Sequence, residues 1–465
     1  MPGTKRHATA NGALDEQRGS MQEAGITQRD CDVLVIGGGP AGSTVATLLA
    51  REGHHVVLLD KDRHPRFHIG ESLLPANLPL LDRLGVGDAI RAIGMHKPGA
   101  EFVSPQHTHT QVYHFADAWD KSMPAAYQVK RADFDHVLLR NAASQGVDVH
   151  EATLAREVRW SADAQRAESV TSTDENGQAI EWHPRFLVDA SGRDTFLAGR
   201  LKSKEKNPNH NSAAVYAHFR GARRQAGADE GNITIFWFDH GWFWFIPLSD
   251  GTTSVGMVTW PYHMKTRGGR DLQDFLLDNI RACPALAERL AEAEPVTAAE
   301  ATGNYSYRST LSHGEGFLLL GDAYAFIDPV FSSGVWLAMS SADIGARTVD
   351  TCLREPARAA RAMRHFDQHM RHGPREFSWF IYRMTNPTMR GFFMDPHNPL
   401  RMKEALLSVL AGDLFGRTPI WPSLWAFKSF YFAVNLGNPL RTWRAWRQRR
   451  RNIRPTVSAN AASNP

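Results

Sequence analysis

The sequence predicts an α/β protein: a parallel sheet interrupted by an antiparallel sheet and followed by a helical C-terminal region. Three observations predict this fold. A β-branched run at 33–36 leads into the turn Gly37-x-Gly39-x-x-Gly42 and a helical segment at 43–51. Aromatic and β-branched runs, separated by turn residues, fill positions 213–260. Helical segments interrupted by prolines extend from about 335 to the end of the chain.

Each glycine of the first turn has a steric reason. Gly37 allows the tight turn, Gly39 lets the backbone approach a pyrophosphate, and Gly42 lets the helix pack on the strand. The helix N-terminus then offers free N–H groups to the phosphates. A second strand at 55–59 ends at Asp60, about 20 residues past the glycines, where a ribose-binding carboxylate is expected. A glycine loop that only turns the chain would not account for this spacing, so we predict a Rossmann-like dinucleotide site.

The remaining elements follow from apolar periodicity and from turn residues. We expect helices at 78–84, 132–144, 271–292 and from 335, with later breaks at Pro387, Pro396 and Pro399. We expect an edge hairpin within 156–179 and strands at 127–129, 147–150, 186–189, 215–219, 233–238, 242–246, 255–259 and 317–320. Residues 95–102 are expected to form a turn that enters a strand.

These elements divide the chain into five parts. Residues 1–29 are polar and are expected to form a disordered leader. Residues 30–212 and 311–350 are expected to form the nucleotide-binding module, with the antiparallel sheet and its helices inserted at 213–310. Residues 351–465 are expected to form a C-terminal helical region with a basic tail.

Composition excludes several classes of protein. Hydrophobic residues make up 42% and charged residues 22% of the 465 residues, as in an ordinary globular chain. Cys31, Cys283 and Cys352 are too scattered for a disulfide framework or a metal motif, which predicts a reducing, cytoplasmic location. No apolar stretch is long enough for a secretory signal or a transmembrane helix. A net charge of +4 does not favour nucleic-acid binding.

The positive charge is concentrated near the C-terminus. Seven arginines lie between Arg441 and Arg454, with Trp443 and Trp446 among them. We expect a solvated terminal helix whose tryptophans pack on the body of the protein. The alternative is a basic amphipathic helix that meets an acidic partner or a membrane surface.

The order of these pieces resembles the flavoprotein monooxygenase fold, in which an FAD domain is interrupted by an antiparallel substrate sheet. The resemblance rests on the glycine turn, Asp60, Arg131 at the start of a helix, the small-residue turn at 189–192, and Gly321-Asp322. The resemblance implies FAD, rather than NAD, as the bound dinucleotide. The FAD-binding residues it implies are Gly37, Gly39, Pro40, Ala41, Gly42, Asp60, Lys61, Arg131, Asp189, Gly192, Gly321, Asp322, Pro329, Gly334 and Val335.

Three stretches resemble the flavin-dependent halogenases, in the branch that acts on phenols or pyrroles. They are Gly241-Trp242-Phe-Trp244-Phe-Ile246-Pro247, then Gly70-Glu71-Ser72 with Lys97-x-Gly99-Ala100-x-Phe102, and the run 321–335. The family uses reduced FAD, O2 and chloride or bromide to make hypohalous acid. No second glycine motif for a nicotinamide is present in the sequence, so the resemblance implies reduced FAD supplied by a separate flavin reductase.

The resemblance also implies roles for particular residues. Ser332, Ser333 and Gly334 would hold the halide, although the same loop could simply contact the flavin ring. Lys97 would relay the hypohalous acid through a hydrogen bond or as a haloamine, whereas a lone lysine is ordinarily a surface charge. Trp242 and Trp244 would separate flavin from substrate, or would simply pack in the core. Glu71 and Ser72 would orient the lysine or close the flavin site, or would cap the next helix.

One departure bears on the substrate. Halogenases of free tryptophan carry a glutamate in the halide loop, and here that position is Phe331. The departure favours a phenol or pyrrole, free or tethered to an acyl carrier protein, and leaves the base unassigned. His107 and His109 are candidates by residue type alone. The competing hypotheses are an aromatic hydroxylase of the same fold, and a flavin-binding scaffold protein without turnover.

Overall fold

A computed structural model describes residues 26–163, 166–303, 306–416 and 418–454. The predicted leader therefore lies almost entirely outside the described residues. Its last residues, from Thr27 onward, belong to the first strand.

Strands account for the two large sheets and for two small ones. In chain order they are β1 Thr27–Ile36, β2 Val56–Leu59, β3 Met95–Lys97, β4 Gly99–Val103, β5 Thr110–His114, β6 Ala126–Gln128, β7 Asp148–His150, β8 Thr153–Trp160, β9 Ala167–Asp174, β10 Ala179–Asp189, β11 Lys204–Lys206, β12 Ala213–Arg220, β13 Ile233–Phe238, β14 Gly241–Pro247, β15 Thr252–Thr259, β16 Glu294–Pro295, β17 Glu300–Gly303, β18 Tyr307–Ser309, β19 His313–Gly314, β20 Phe317–Leu319 and β21 Ala325–Phe326.

Helices flank the parallel sheet and form the C-terminal region. In chain order they are α1 Pro40–Arg51, α2 Asn77–Arg83, α3 Gly87–Ile93, α4 Arg131–Ser144, α5 Phe196–Arg200, α6 Pro261–Thr266, α7 Leu272–Arg281, α8 Pro284–Arg289, α9 Ser333–Arg354, α10 Ala359–Ile381, α11 Pro387–Met394, α12 Met402–Ala411, α13 Trp421–Gly437 and α14 Pro439–Asn452.

The parallel sheet has the predicted α/β architecture. Its parallel strands lie in the order β20, β10, β1, β2, β7, so β1 occupies the centre. Val35 pairs with Val188 on one side and with Leu58 on the other. All three side chains are fully buried, which explains why these strands are continuous apolar runs in the sequence. The carboxyl ends of β1, β2 and β10 consequently meet at one edge.

The antiparallel sheet differs from the prediction in its extent. It contains β12, β15, β14 and β13 in that order, as the run 213–260 predicts. It also contains β4 and β5, because β4 pairs in parallel with β13 and Ile233 lies opposite Ala100. These two strands fall within the part of the chain assigned by sequence to the nucleotide-binding module. Apolar alternation identifies a strand but not the sheet that it joins.

Strand β14 divides two hydrophobic cores. Trp242 and Trp244 lie on one face, in the core shared with the C-terminal helices. Phe243 and Phe245 lie on the other, in the core completed by Phe275 of α7. This is the period of two expected of a strand whose two faces are both covered.

Prolines determine several helix boundaries. The predicted helix at 271–292 is two helices, because Pro284 begins the second. Pro387 begins α11, and Pro399 begins a short 3₁₀ turn before α12. Among the described residues, no helix is long and apolar enough to cross a membrane.

The tail helix α14 corrects the expected packing of its tryptophans. Trp443 is 51% exposed and Trp446 is 53% exposed, so neither is packed in the core. The helix is anchored instead by two hydrogen bonds: Arg449 donates to the Asn209 carbonyl at 2.6 Å, and Thr442 donates to the Asn435 carbonyl at 2.9 Å.

Replacing Gly256 with alanine should destabilise the protein by about 1–3 kcal/mol, the usual cost of overpacking a core. A β carbon at this position would lie 2.1 Å from the Trp244 ring, so the indole must move. Denaturant unfolding of the variant measures the loss. The matched control is Gly391→Ala, because a β carbon there meets no described atom within 4 Å. A Gly256→Ala variant that is as stable as the parent would contradict this packing.

Candidate active site

A cavity of about 650 Å³ runs from the carboxyl ends of the central parallel strands to the antiparallel sheet. Most of the residues singled out in the sequence line it. They are Gly37, Gly39, Pro40, Ala41, Asp60, Lys61, Glu71, Ser72, Arg131, Gly192, Trp242, Trp244, Asp322, Pro329, Ser332, Gly334 and Val335.

The glycine turn has no room for larger residues. Gly37 has a φ of +103°, and a β carbon there would lie 2.4 Å from the Ala190 carbonyl oxygen. A β carbon on Gly42 would lie 1.7 Å from the Gly37 carbonyl oxygen. The turn therefore brings β1, β10 and α1 together and directs the amino end of α1 toward the cavity, where a phosphate is favoured.

Asp60 holds the glycine turn as well as facing the cavity. Its Oδ2 accepts from the Gly38 N–H at 2.6 Å, and its Oδ1 accepts from the Asp62 N–H at 2.9 Å. Burial alone would raise the pKa of this carboxyl, but the hydrogen bonds from His64, Asp62 and Gly38 outweigh burial and lower the pKa. Asp60 is therefore a carboxylate near neutral pH.

Arg66 is a cavity residue that the sequence reading missed. A β carbon added to Gly39 would lie 3.7 Å from its guanidinium, and the guanidinium reaches Asp60 at 4.0 Å and Asp135 at 3.4 Å. A cation therefore stands beside the turn that is suited to a pyrophosphate. Only its position six residues past Asp60 distinguishes it in the sequence.

Arg131 and Asp322 lie farther along the cavity. Two Arg131 nitrogens donate to the Asp135 carboxylate at 2.8 and 2.9 Å, and a third donates to the Ile69 carbonyl at 3.1 Å. Burial raises the pKa of Asp322 to about 6, although the charges of Arg131 and Arg193 favour its ionised form.

Five predicted site residues do not appear among the described residues that line the cavity: Gly42, Lys97, Asp189, Gly321 and Ser333. Asp189 closes a turn instead, because its carboxylate accepts from the N–H groups of Ser191 at 3.0 Å and Leu197 at 2.7 Å. Gly321 packs under α9, where a β carbon would lie 2.9 Å from that of Ala338. Both residues shape the cavity wall from behind.

Lys97 is 1% exposed, which is rare for an amine. Its Nζ donates to Ser72 Oγ and to the Leu73 carbonyl oxygen, both at 2.9 Å, and lies 5.3 Å from the centre of the Phe115 ring. No carboxylate of the described residues forms a salt bridge with it. Burial lowers the pKa of Lys97 to about 7. Ser72 lines the cavity and thus connects it to the amine.

Glu71 has a partner that no sequence signal indicated. Its Oε1 lies 2.8 Å from Nε2 of His218, a residue of β12 that is 147 positions away. Its Oε2 has no hydrogen-bond partner among the described residues and is buried. The carboxylate lines the cavity next to Ser72.

The loop before α9 is held by Asp328. Its Oδ1 accepts from the Val330 N–H at 3.1 Å, and its Oδ2 is 2.7 Å from His210 Nε2. Ser332 then has a φ of 54°, and the 22-residue helix α9 starts at Ser333. Backbone N–H groups at this helix start favour an anion beside the cavity.

Two histidines suggested as bases lie elsewhere. His109 donates to the Met394 carbonyl at 3.0 Å, and both His107 and His109 lie near Asp395, at 3.7 and 3.4 Å. Neither is among the described cavity residues. Phe331 is buried and stacks on Phe393, with ring centres 6.2 Å apart, so the loop carries no carboxylate at that position.

The tryptophan pair forms the far wall of the cavity. The ring centres of Trp242 and Trp244 are 6.1 Å apart, and Trp244 Nε1 donates to Ser254 Oγ at 3.1 Å. In the part of the chain that the structure describes, no cluster of side chains could hold a metal ion.

Comparison with known proteins identifies the family. A family model described as FAD binding domain matches residues 30–362. The flavin-dependent halogenase armH3 of Armillaria mellea is 37% identical over 70% of this chain and 68% of its own length. The tryptophan 2-halogenase of Chondromyces crocatus is 37% identical over 69% of this chain and 61% of its own length. The 1H-pyrrole-2-carbonyl-(peptidyl-carrier protein) chlorinase of Pseudomonas fluorescens is 29% identical over 84% of this chain and 91% of its own length.

A solved structure agrees with these relatives. The myxobacterial chondrochloren halogenase CndH superimposes with a TM-score of 0.73 at 34% identity, covering 85% of this chain and 93% of that chain. The chain thus spans about two thirds of the first two relatives and nearly all of CndH. The cavity, its glycine turn and the matched family model identify FAD as the cofactor, and the chain belongs to the flavin-dependent halogenases.

Proposed function

We propose that this halogenase acts on an electron-rich phenol or pyrrole, with Lys97 relaying the halogen from a halide site at 332–334. The observation that supports the relay most directly is a fully buried amine, without a described carboxylate partner, that is hydrogen-bonded to a cavity residue.

The cavity fits FAD. Residues 37–41 would hold the pyrophosphate, with the Arg66 guanidinium beside it, and Asp60 would face the ribose. Arg131 and Asp322 would line the path toward the flavin ring. When bound, reduced FAD would supply, with O2, the oxidising power that converts a halide ion and a proton to hypohalous acid, while the second oxygen atom of O2 leaves as water. We infer that a separate flavin reductase supplies the reduced cofactor, since the sequence holds no second nucleotide motif.

The halide would sit at the amino end of α9. Ser332 and Gly334 line the cavity, whereas the buried Ser333 contributes its backbone to the first turn of the helix. A desolvated anion is favoured there by the helix dipole and the free N–H groups. The alternative for this loop is contact with the flavin ring alone, and a halide titration distinguishes the two.

Lys97 can accept the halogen because its amine is neutral in a fraction of the protein molecules near pH 7. In the covalent route, the amine reacts with hypohalous acid to form an N–halogen bond, and the N–H proton leaves with hydroxide as water. The ring then attacks the halogen, and the proton that the ring loses restores the amine. In the hydrogen-bonded route, the protonated Lys97 polarises the hypohalous acid instead. Ser72 and Leu73 hold the nitrogen in place in both routes.

Trp242 and Trp244 would keep the substrate ring away from FAD. Both side chains line the cavity, and both are at least nine-tenths buried, so they form a rigid wall. A substrate held behind such a wall would meet hypohalous acid without contacting the cofactor. This separation favours halogenation over direct hydroxylation.

The substrate class rests on the loop before α9. Phe331 leaves that loop without the glutamate of the free-tryptophan halogenases, which suits a ring that is already electron-rich. The Pseudomonas fluorescens relative is a chlorinase of a carrier-tethered pyrrole, and the Chondromyces crocatus relative is a tryptophan 2-halogenase. Mass spectrometry of reactions with FAD, a reductase, bromide or chloride, and a panel of phenols, pyrroles, carrier-bound pyrroles and tryptophan would decide among them.

Lys97→Met should lower halogenated product about a hundredfold or more, while reduced FAD is still oxidised by O2. The reason is that only transfer to the ring needs the amine. Product by mass spectrometry and cofactor oxidation by absorbance are measured together. Lys121→Met is the matched control, because Lys121 is exposed and bonds to a backbone carbonyl. Halogenation by the Lys97 variant at the parent rate would exclude the relay.

The lowered pKa of Lys97 also predicts a pH dependence of stability. The amine titrates at about 7 in the folded protein and at its ordinary value of 10.5 when unfolded. Between these values the unfolded chain binds one more proton, so the free energy of unfolding should rise with pH across this range. Denaturant unfolding at pH 6, 8 and 10 measures this rise. Lys97→Met should remove that part of the rise, and an unchanged pH profile would contradict the burial of a free amine.

A further inference from the structure

The last two helices expose an unusual set of side chains. Seven of the thirteen large hydrophobic side chains that are exposed in the described residues belong to α13 and α14. They are Trp425, Phe430, Phe432, Leu436, Leu440, Trp443 and Trp446. The other six, Ile26, Phe67, Leu154, Val296, Leu311 and Leu400, are scattered along the chain, which is ordinary for a folded protein. A concentration in one segment is not ordinary and indicates an interaction surface.

The exposed side chains follow the helical repeat. Trp425, Phe432 and Leu436 are spaced by seven and four residues, which places them along one side of α13. Trp443, Trp446, Arg447 and Arg450 have the spacing i, i+3, i+4, i+7, which places them on one face of α14. Leu440 lies between the two sets, immediately after the link at Asn438.

A neighbouring face of α14 contacts the protein. Arg449 donates to the Asn209 carbonyl and lies 5.1 Å from the centre of the Tyr382 ring. Burial lowers the pKa of Arg449 to about 10, whereas Trp443 and Trp446 are half exposed. The helix is therefore held with its tryptophan face outward.

The charged side chains of α14 are all positive. Helix α14 carries six arginines and no acidic residue. Within the described chain, no carboxylate forms a salt bridge with Arg441, Arg444, Arg447, Arg450 or Arg451. Arg447 and Arg450 instead lie over the Trp443 and Trp446 rings, at 5.1 and 4.6 Å. Unpaired guanidinium groups beside exposed indoles match the boundary between lipid headgroups and acyl chains.

We propose that α13 and α14 bind an anionic lipid surface, with the indoles and leucines in the interface and the arginines on lipid phosphates. A peripheral position fits the finding that none of the described helices is long and apolar enough to span a bilayer. The exposed indoles and leucines beside arginines without carboxylate partners favour a lipid surface, because its headgroups and acyl chains accommodate both kinds of side chain. The surface would hold the halogenase where apolar aromatic substrates dissolve.

The test is sedimentation of the whole protein with vesicles. Vesicles of equal parts phosphatidylcholine and phosphatidylglycerol should capture the protein, and vesicles of phosphatidylcholine alone should capture far less. The tryptophan emission should shift to the blue on binding. Added salt should weaken capture, because exposed charges are screened.

Two pairs of substitutions separate the charge from the indoles. Arg447→Gln with Arg450→Gln should lower vesicle affinity about thirtyfold, since each basic side chain near an anionic surface contributes about fivefold. Trp443→Ser with Trp446→Ser should reduce the emission shift, because Trp425 is then the one indole left of the three exposed on α13 and α14, and should weaken capture. Arg223→Gln and Leu311→Ser are the matched controls, as each side chain is exposed elsewhere.

Four outcomes would overturn the proposal. They are failure of anionic vesicles to capture the parent protein, equal capture by neutral vesicles, variants that bind like the parent, and capture by an acidic acyl carrier protein without capture by vesicles. A dimer whose formation depends on Trp443 and Trp446, and whose presence is unaffected by lipid, would also overturn it. Halogenation by the variants on a water-soluble phenol should be unchanged, so the result does not depend on the proposed relay.

Discussion

The closest backbone approach in the nucleotide site constrains everything around it. A β carbon at position 42 would lie 1.7 Å from the Gly37 carbonyl oxygen, and a β carbon at position 37 would collide with the Ala190 carbonyl. Three elements can converge only because two residues lack side chains. This contact sets the position of α1 against the central strand, and with it the amino end that faces the cavity. The Asp60 carboxylate then ties the turn to the end of β2 through the Gly38 N–H.

A second constraint is the exclusion of water at the other end of the cavity. Burial lowers the pKa of Lys97 to about 7 and raises the pKa of Asp322 to about 6. Both shifts have the same physical cause, since a low-dielectric surrounding disfavours either charge. For the lysine the result is an amine that is partly neutral near pH 7, held by Ser72 and by a backbone carbonyl rather than by a carboxylate. A partner carboxylate would restore the charge and remove this reactivity.

Much of the fold could be predicted because its strands are locally distinctive. The buried runs that became β1, β2, β10 and β20 are continuous apolar segments, as strands covered on both faces must be. The errors have local causes as well. Strand β1 begins at Thr27, earlier than predicted. The prediction missed its first residues because they are polar and exposed and therefore show no apolar pattern. The strands at 99–103 and 110–114 join the antiparallel sheet because of a pairing with β13 that is remote in sequence.

The sequence by itself determined the features that depend on neighbouring residues: the glycine turn, the shared face of Trp242 and Trp244, and the family to which they point. Local sterics and the period of a strand are sufficient for these. Only the tertiary structure decided that Lys97 sits behind Ser72, that His218 bonds to Glu71, and that the tail tryptophans face outward. Each of these depends on which distant segments pack together. Spacing along the chain carries no information about that packing.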